Sequence, residues 1–310
     1  MNESAALRDS VRRLLADHGD DPGLWGRLCK EIGVGGLTVP EEYGGSGATV
    51  AEASIVLEEC GRVLSGVPAI GSLLAAHALL GAGPQTRARL LPPLCAGDRV
   101  VALAWNGPAV IDGDRITGSF TDVLDTAAAD TLLIAAAGEI VQVEGAILEP
   151  QPTLDLSRPL TTVRLDEAPI VWRDASHTLP GLRDLACSAL AAEQVGTAER
   201  ALQLTVEYVK VRHQFGRPIG SFQVLQHRLA DLYVRVQAAR SVIGNPTVAK
   251  LWCSETLRAV AAEMVQMHGG IAITWEHDAH RYLRRAWASA DLFGTPAAEV
   301  ARLAPEFLDT

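Results

Sequence analysis

Apolar residues recur along this chain with two different periods, and the switches between them mark its organisation. Up to about Leu94 the step is helical: Leu7, Val11, Leu14 and Leu15 share one face, and the runs Ile55 to Leu64 and Ile70 to Leu80 are rich in Leu, Val and Ala. The Pro40–Gly47 segment, PEEYGGSG, reads as a loop. From Val100 the apolar runs shorten to VVALA, RITG, TLLIAA, IVQV, TVRL and IVW, separated by Asp-Gly, Gly-Glu and Pro-containing turns. That pattern predicts a compact β domain from about Val100 to Arg173. After Pro180 the helical period returns. Ala192, Val195, Ala198, Leu202, Val206 and Val209 follow steps of three or four, and so do Leu225, Leu229, Leu232, Val236, Ala239 and Ile243. Gly244-Asn245-Pro246 ends that second helix, because proline lacks the N–H and disfavours α geometry at Asn245, and a third helix is predicted from about Thr247 to Met267. The chain therefore reads as α+β and mostly α, with a helical domain over residues 1–99, a β domain over 100–175 and a helical bundle over 176–310.

Composition narrows the function. At 310 residues, 48% hydrophobic and 21% charged, the chain can bury more than one core. A net charge of −10 argues against nucleic acid or an anionic membrane as a partner, while leaving room for a local basic patch. Cys29, Cys60, Cys95, Cys187 and Cys253 are scattered without metal or redox spacing, as expected of reduced core thiols in a cytoplasmic protein. Glu3, Arg8, Asp9, Arg12 and Arg13 precede any apolar run, which is unlike a signal peptide, and no apolar run is long enough to span a bilayer.

Candidate chemistry concentrates in two segments. In Val211–Asp231, VRHQFGRPIGSFQVLQHRLAD, Arg212 and Arg217 flank a Phe-Gly turn, and Pro218 and Gly220 interrupt the helix there. Guanidinium groups on such an interhelical loop can grip a pyrophosphate bidentately. In Gln266–Ala286, QMHGGIAITWEHDAHRYLRRA, Gly269 and Gly270 would let a ligand approach the backbone. Gln266 is either a ligand contact or a cap on the helix end, Phe215 either an adenine neighbour or core, and Gln223 either a contact or a solvated first-turn residue. His268, His277 and His280 beside Glu276 and Asp278 do not make a metal site: the apolar run IAITW separates the first from the others, and no Cys lies at ligand spacing. Arg281, Arg284 and Arg285 are expected on a charged face, paired with Glu276 or Asp278.

These two segments, in this order, resemble the acyl-CoA dehydrogenase family, in which an R-x-x-F-G loop and a later Q-x-x-G-G turn hold the adenine dinucleotide half of FAD. The resemblance extends through Trp25–Gly45 (WGRLCKEIGVGGLTVPEEYGG) and Ala191–Leu202 (AAEQVGTAERAL). It implies the family's three-part architecture, FAD as cofactor, and removal of hydrogens from Cα and Cβ of an acyl-CoA thioester to give a 2-enoyl-CoA. Arg212, Gln214, Phe215, Gln223, Gln266, Gly269 and Gly270 are the residues it assigns to the cofactor.

Two departures modify this. The family's catalytic glutamate sits in an E-G-T near the C-terminus, and the matching segment here is Asp291–Thr295, DLFGT, with Phe293 at the glutamate's place. Some members carry the base before the R-x-x-F-G loop, at the start of that helix; Ala186 and Cys187 fall there, with Asp184 as a weak substitute. In the β domain, the family's T-E-P and Gly-Ser-Asp run is replaced by Ala104–Val110, AWNGPAV, and its Trp-Ile-Thr-like stretch by Phe120–Val123, FTDV. The resemblance thus implies the short subunit of a heteromeric α2β2 steroid-type dehydrogenase. Such a chain would reach across to FAD whose ring and catalytic base belong to a second subunit. A noncatalytic scaffold, or an independent homodimer with a displaced base, are the alternatives.

Overall fold

In the computed structural model, residues 3–19 and 21–308 are described. By packing they fall into two compact units, residues 1–56 with 66–186, and residues 57–65 with 187–310.

The first unit begins with α1 (Glu3–His18), which buries Val11, Leu14 and Leu15. A short α2 (Leu24–Arg27) widens into a π-helical turn through Leu28–Ile32. Helix α3 (Val50–Arg62) starts here; at its N-terminus Glu52 Oε2 accepts from the Thr49 amide at 2.9 Å and from the Thr49 hydroxyl, which itself accepts from the Ala51 amide at 3.2 Å. Helix α4 (Ala69–Leu80) is apolar on nearly every side and correspondingly buried, while α5 (Pro84–Cys95) follows after the Gly83 turn.

The β part comprises β1 (Val101–Ala104), β2 (Ala109–Asp112), β3 (Arg115–Leu124), β4 (Thr131–Ala136), β5 (Glu139–Val143), β6 (Ile147–Pro150) and β7 (Leu160–Ala175), in the order β1-β4-β5-β7-β3-β2 with β6 also on β7. Only β1 and β4 run parallel; the other pairs are antiparallel. The runs TVRL and IVW, which the sequence separates, are one 16-residue strand. Its first part pairs with β3 and β6, its last part with β5, and Glu167 takes φ 46° near the handover. Pro169 looks like a strand break in sequence, but no β5 partner faces it and β3 meets it only at its end, so the missing N–H is tolerated. Alternating inward residues, among them Ile116, Phe120, Ile134, Val141, Val163 and Leu165, fill the core of the sheet.

The second unit is built on α6 (Leu182–Val211), α7 (Gln223–Ser241), α8 (Pro246–His268), α9 (Ala279–Asp291) and α10 (Pro296–Leu308), with a minimal hairpin of β8 (His213–Gln214) and β9 (Arg217–Pro218) between α6 and α7. Asn245 caps α8 through its side chain, which accepts from the Val248 amide at 3.4 Å. Ala198, Leu202, Leu232, Val236, Leu257, Val260, Met264, Tyr282 and Ala286 share one core cluster, so the 3.6-residue stripes of the sequence meet as expected. The last turn of α3 belongs here too, because Gly61 and Gly196 let two backbones touch: a Cβ on Gly196 would lie 1.9 Å from the Glu58 carbonyl oxygen, and one on Gly61 2.1 Å from that of Glu193.

Charge is also buried in this unit. Arg285, expected on a charged interface or solvent face with Glu276 or Asp278, is instead 1% exposed and ion-paired with Glu193 of α6. Its second nitrogen donates to the Leu64 and Ser65 carbonyls at 3.4 and 3.2 Å. Its neighbours behave differently: Arg281 does pair with Asp278 at 3.1 Å, and Arg284 lies over the Trp275 ring at 4.7 Å. Lys250, 0% exposed, donates to the Ala290 carbonyl at 2.6 Å and the Ser289 carbonyl at 3.3 Å, which neutralises the C-terminal end of α9.

Candidate functional site

The first loop follows directly from α6. After Val211 the chain forms the hairpin of β8 and β9, in which Gln214 pairs with Arg217, and Phe215 and Gly216 at its tip take φ 54° and 77°. Two successive positive φ values make this a tight turn whose twist suits a hairpin, and Gly216 adopts it without cost. Phe215 does not: a bulky side chain in left-handed backbone is strained, and such strain gathers at functional sites. Phe215 is also 90% exposed, so it is not core. Its ring meets Phe222 edge-on at 6.1 Å, and the Arg217 guanidinium lies over Phe222 at 4.0 Å. Arg212 is exposed, its carbonyl accepting from the Ile219 amide at 2.7 Å to close the loop, and among the described residues its guanidinium has no carboxylate partner. Gln214 and Gln223, the latter the first residue of α7, are exposed.

The second loop leaves α8. Gln266 is exposed in its last turn, and Gly269 (φ 66°, ψ −143°) turns the chain in a conformation that side-chain-bearing residues avoid. Gly270 has no such backbone need. A Cβ on either glycine would meet nothing within 4 Å, so packing inside this chain does not call for glycine at 270. The space above it is open to a group from outside. Beyond it, Ile273 and Trp275 are each 74% exposed. Contiguous exposed aromatic and aliphatic residues of this kind mark interaction surfaces.

Tyr208, near the end of α6, brings the two loops together. Its ring lies stacked on His268 with centroids 4.1 Å apart, and its hydroxyl donates to the His268 carbonyl at 3.2 Å. His268 is buried, with Nδ1 2.7 Å from the Met264 carbonyl, and its ring lies 4.7 Å from that of His277. Burial pushes the His268 imidazole below its ordinary range; the Met264 carbonyl opposes this and nearby His277 adds to it. Sequence reading passed over Tyr208 entirely and considered His268 and His277 only as metal ligands. Among the described residues, no group of three or more His, Cys, Asp or Glu is placed to hold a metal.

Phe293, which the resemblance aligned with the family's base, is 7% exposed and has φ 64°, two residues past the end of α9. Asp184 is an exposed residue in the first turn of α6, whereas Ala186 and Cys187 are fully buried. All five cysteines are buried and outside any disulfide; burial drives the Cys29 and Cys253 thiols up to about 12 and Cys95 to about 11, far from nucleophilic use. In the first unit, Ala104 ends β1, and the Gly107 turn packs against β3, where a Cβ would come within 2.2 Å of the Ser119 carbonyl oxygen. The Phe120–Val123 stretch is an irregularity in the β3–β7 pairing, with Phe120 and Val123 turned into the core.

The N-terminal domain model of the acyl-CoA dehydrogenases matches residues 2–98, and the C-terminal domain model matches residues 186–304. The chain belongs to the acyl-CoA dehydrogenase family. It is 42% identical to acyl-CoA dehydrogenase IpdE2 of Mycobacterium tuberculosis, over 98% of this chain and 97% of that relative, and 42% identical to IpdE2 of Mycolicibacterium smegmatis over 98% and 94%. Among solved structures, a variant of the Tcur3481–Tcur3483 steroid ACAD superposes with a TM-score of 0.91 at 29% identity, covering 99% of this chain and 98% of the other. The ChsE4–ChsE5 complex from Mycobacterium tuberculosis gives a TM-score of 0.89 at 27% identity, covering 100% and 98%. Members of the family are FAD-dependent flavoproteins. A dinucleotide's charged end would find here the exposed Arg212 guanidinium, the exposed amides of Gln214, Gln223 and Gln266, and the open turn at Gly269 and Gly270.

Proposed function

We propose that this chain is the base-less subunit of a heteromeric, cytoplasmic α2β2 acyl-CoA dehydrogenase, and that it completes the FAD site of a partner subunit in trans. The observation that carries the reading is the contrast within the second unit: a buried Phe293 where a proton acceptor belongs, and an outward-facing set of dinucleotide contacts. Likeness to a steroid ACAD and to a two-chain complex supports the heteromeric arrangement and a bulky, steroid-derived acyl-CoA as substrate.

In this scheme Arg212 supplies fixed positive charge for the diphosphate, Gln214, Gln223 and Gln266 supply amide donors, Phe215 offers a ring face to the adenine, and Gly269 and Gly270 bring bare backbone up to the ligand. Bound FAD supplies the acceptor for the hydride leaving the substrate's β carbon. In this scheme the α proton goes to a carboxylate of the partner, since Phe293 cannot accept it and Asp291, the carboxylate of the same turn, is an exposed residue at the end of α9. Asp184, which a self-sufficient homodimer would need as its base, is a solvated helix-start residue that favours the helix dipole.

Expression of the chain alone should give nearly colourless protein, and coexpression with its partner a yellow complex. Tight stoichiometric flavin on the lone chain would overturn the assignment. Arg212→Ala in the complex separates it from a scaffold role: loss of FAD with assembly intact supports the shared site, and unchanged flavin content supports a scaffold.

A further inference from the structure

The two dinucleotide loops are consecutive with different helices, yet a ligand that touches both requires their spacing to be fixed. The structure contains a device of that kind. Tyr208 stands one turn before Arg212, and the Arg212 amide donates to the Tyr208 carbonyl at 2.9 Å, so the position of the tyrosine and that of the loop are locked together. On the other side, His268 immediately precedes Gly269. The tyrosine ring covers the imidazole at 4.1 Å and an interplanar angle of 22°, and the tyrosine hydroxyl reaches the His268 carbonyl at 3.2 Å. His277 closes the cluster from beyond the turn, 4.7 Å from His268 and 6.5 Å from Tyr208.

The hydrogen bonds fix the protonation pattern. A carbonyl can only accept, so His268 Nδ1 carries a proton, which it donates to Met264 at 2.7 Å. His277 Nδ1 accepts from the Ala279 amide at 3.1 Å, at the start of α9, and so keeps its lone pair there. A second proton on His268 would place charge at a site 5% exposed and beside another imidazole. The groups facing His268 are Tyr208 from α6, the Met264 carbonyl from its own helix and His277 from the segment before α9. His277 in turn interacts with His280, which also feels Arg284, Asp278 and Arg281.

We propose that Tyr208, His268 and His277 form a positioning clamp that holds the Arg212–Arg217 loop and the Gln266–Gly270 turn at the separation needed to grip a dinucleotide, and that the clamp requires an uncharged His268. This rests on the reading that both loops serve FAD. The clamp residues do not touch the reacting atoms; they set where the contacts stand.

The test uses the complex of this chain with its native partner, with FAD release followed by the rise in flavin fluorescence. Tyr208→Leu removes ring and hydroxyl and should speed release at least tenfold. Tyr208→Phe keeps the ring and should restore most of the retention. Lowering the pH from about 7.5 to about 5.5 should speed release from the wild type but not from His268→Phe, which keeps a stacked ring that cannot ionise. Should Tyr208→Leu fail to assemble, the Phe variants decide alone, together with the imidazole NMR signals of the isolated chain, which should show His268 as the Nδ1–H tautomer. Wild-type retention in Tyr208→Leu, a pH response surviving in His268→Phe, or the other tautomer would each overturn the clamp. If Arg212→Ala also leaves FAD in place, the shared-site reading has failed; if Arg212→Ala releases FAD and the clamp variants do not, only the clamp has.

Discussion

Within one helical unit the protein uses charge in two opposite ways. Glu193, Lys250 and Arg285 are buried, each satisfied by partners from other elements, and they join helix ends to the bundle. Arg212 and its neighbours stand on an exposed loop with a strained aromatic tip and, among the described residues, no carboxylate to hold them. The first set is costly to desolvate, and the Glu193–Arg285 pair offsets that cost only while both partners are present. The second contributes almost nothing to the fold and is available for a ligand. Stability and function are thereby separable by mutation, and the separation can be tested from the strongest effect downward.

Arg285→Met should produce the largest loss. It removes the guanidinium from the buried Glu193 carboxylate and from the Leu64 and Ser65 carbonyls, and breaking a buried pair in this way costs about 3–5 kcal/mol. Denaturant unfolding should show it. Adding Glu193→Leu should recover a large part, because an apolar pair of similar volume is often as stable as an ion pair. A single-variant loss below about 1 kcal/mol would mean that the interaction carries no weight in the core.

Gly196→Ala comes next. The added Cβ would fall 1.9 Å from the Glu58 carbonyl oxygen, so α3 and α6 must separate, and overpacking of this kind costs about 1–3 kcal/mol. An unchanged unfolding midpoint would show that the helices give way more easily than their close approach implies.

These two positions also show what sequence could and could not supply. The helical stripes of α6, α7 and α8 were legible because apolar steps of three and four report a buried face whatever it packs against. Arg285 was not. It follows EHDAHRYLR, a segment polar enough to pass for a solvent face, and its partners lie at Glu193 and at residues 64 and 65, far away along the chain. The same holds for the last turn of α3, whose assignment to the second unit depends on glycines facing one another across α6. In the β part, Pro169 disguised one long strand as two short ones. At the candidate site the ligand-facing residues were readable from motif chemistry, since Arg, Gln and Gly carry their function in their own side chains or lack of one. Tyr208 and His268 carry theirs in their distance from each other, which sequence does not record.

Arg212→Ala turns to the other half of the comparison. On an exposed residue with no ion-pair partner among the described residues it should leave unfolding within about 0.5 kcal/mol of wild type. In the complex it should weaken FAD retention by about 1.5–3 kcal/mol, the usual weight of a charge-assisted hydrogen bond, or roughly tenfold to a hundredfold. Retention assays at two salt concentrations would sharpen this, because the difference between variant and wild type should shrink as ions screen the contact. A variant that unfolds more easily yet keeps its flavin would invert the comparison.

The smallest effect belongs to a charge that is exposed but structural. Glu52 caps α3 from its solvent side, and hydrogen bonds from the Thr49 hydroxyl and amide hold its carboxyl below the usual glutamate range. A depressed folded-state value means that the unfolded chain binds the proton first as pH falls. The stabilisation is therefore complete above the ordinary value of 4.5 and disappears as pH drops through the lowered one. Glu52→Gln should lower the melting temperature slightly at neutral pH, by less than any core change above, and the gap between variant and wild type should close in acid. A gap that persists at low pH would mean that the side chain acts through its packing or as a neutral hydrogen-bond partner, and that exposed charge contributes nothing to this helix end.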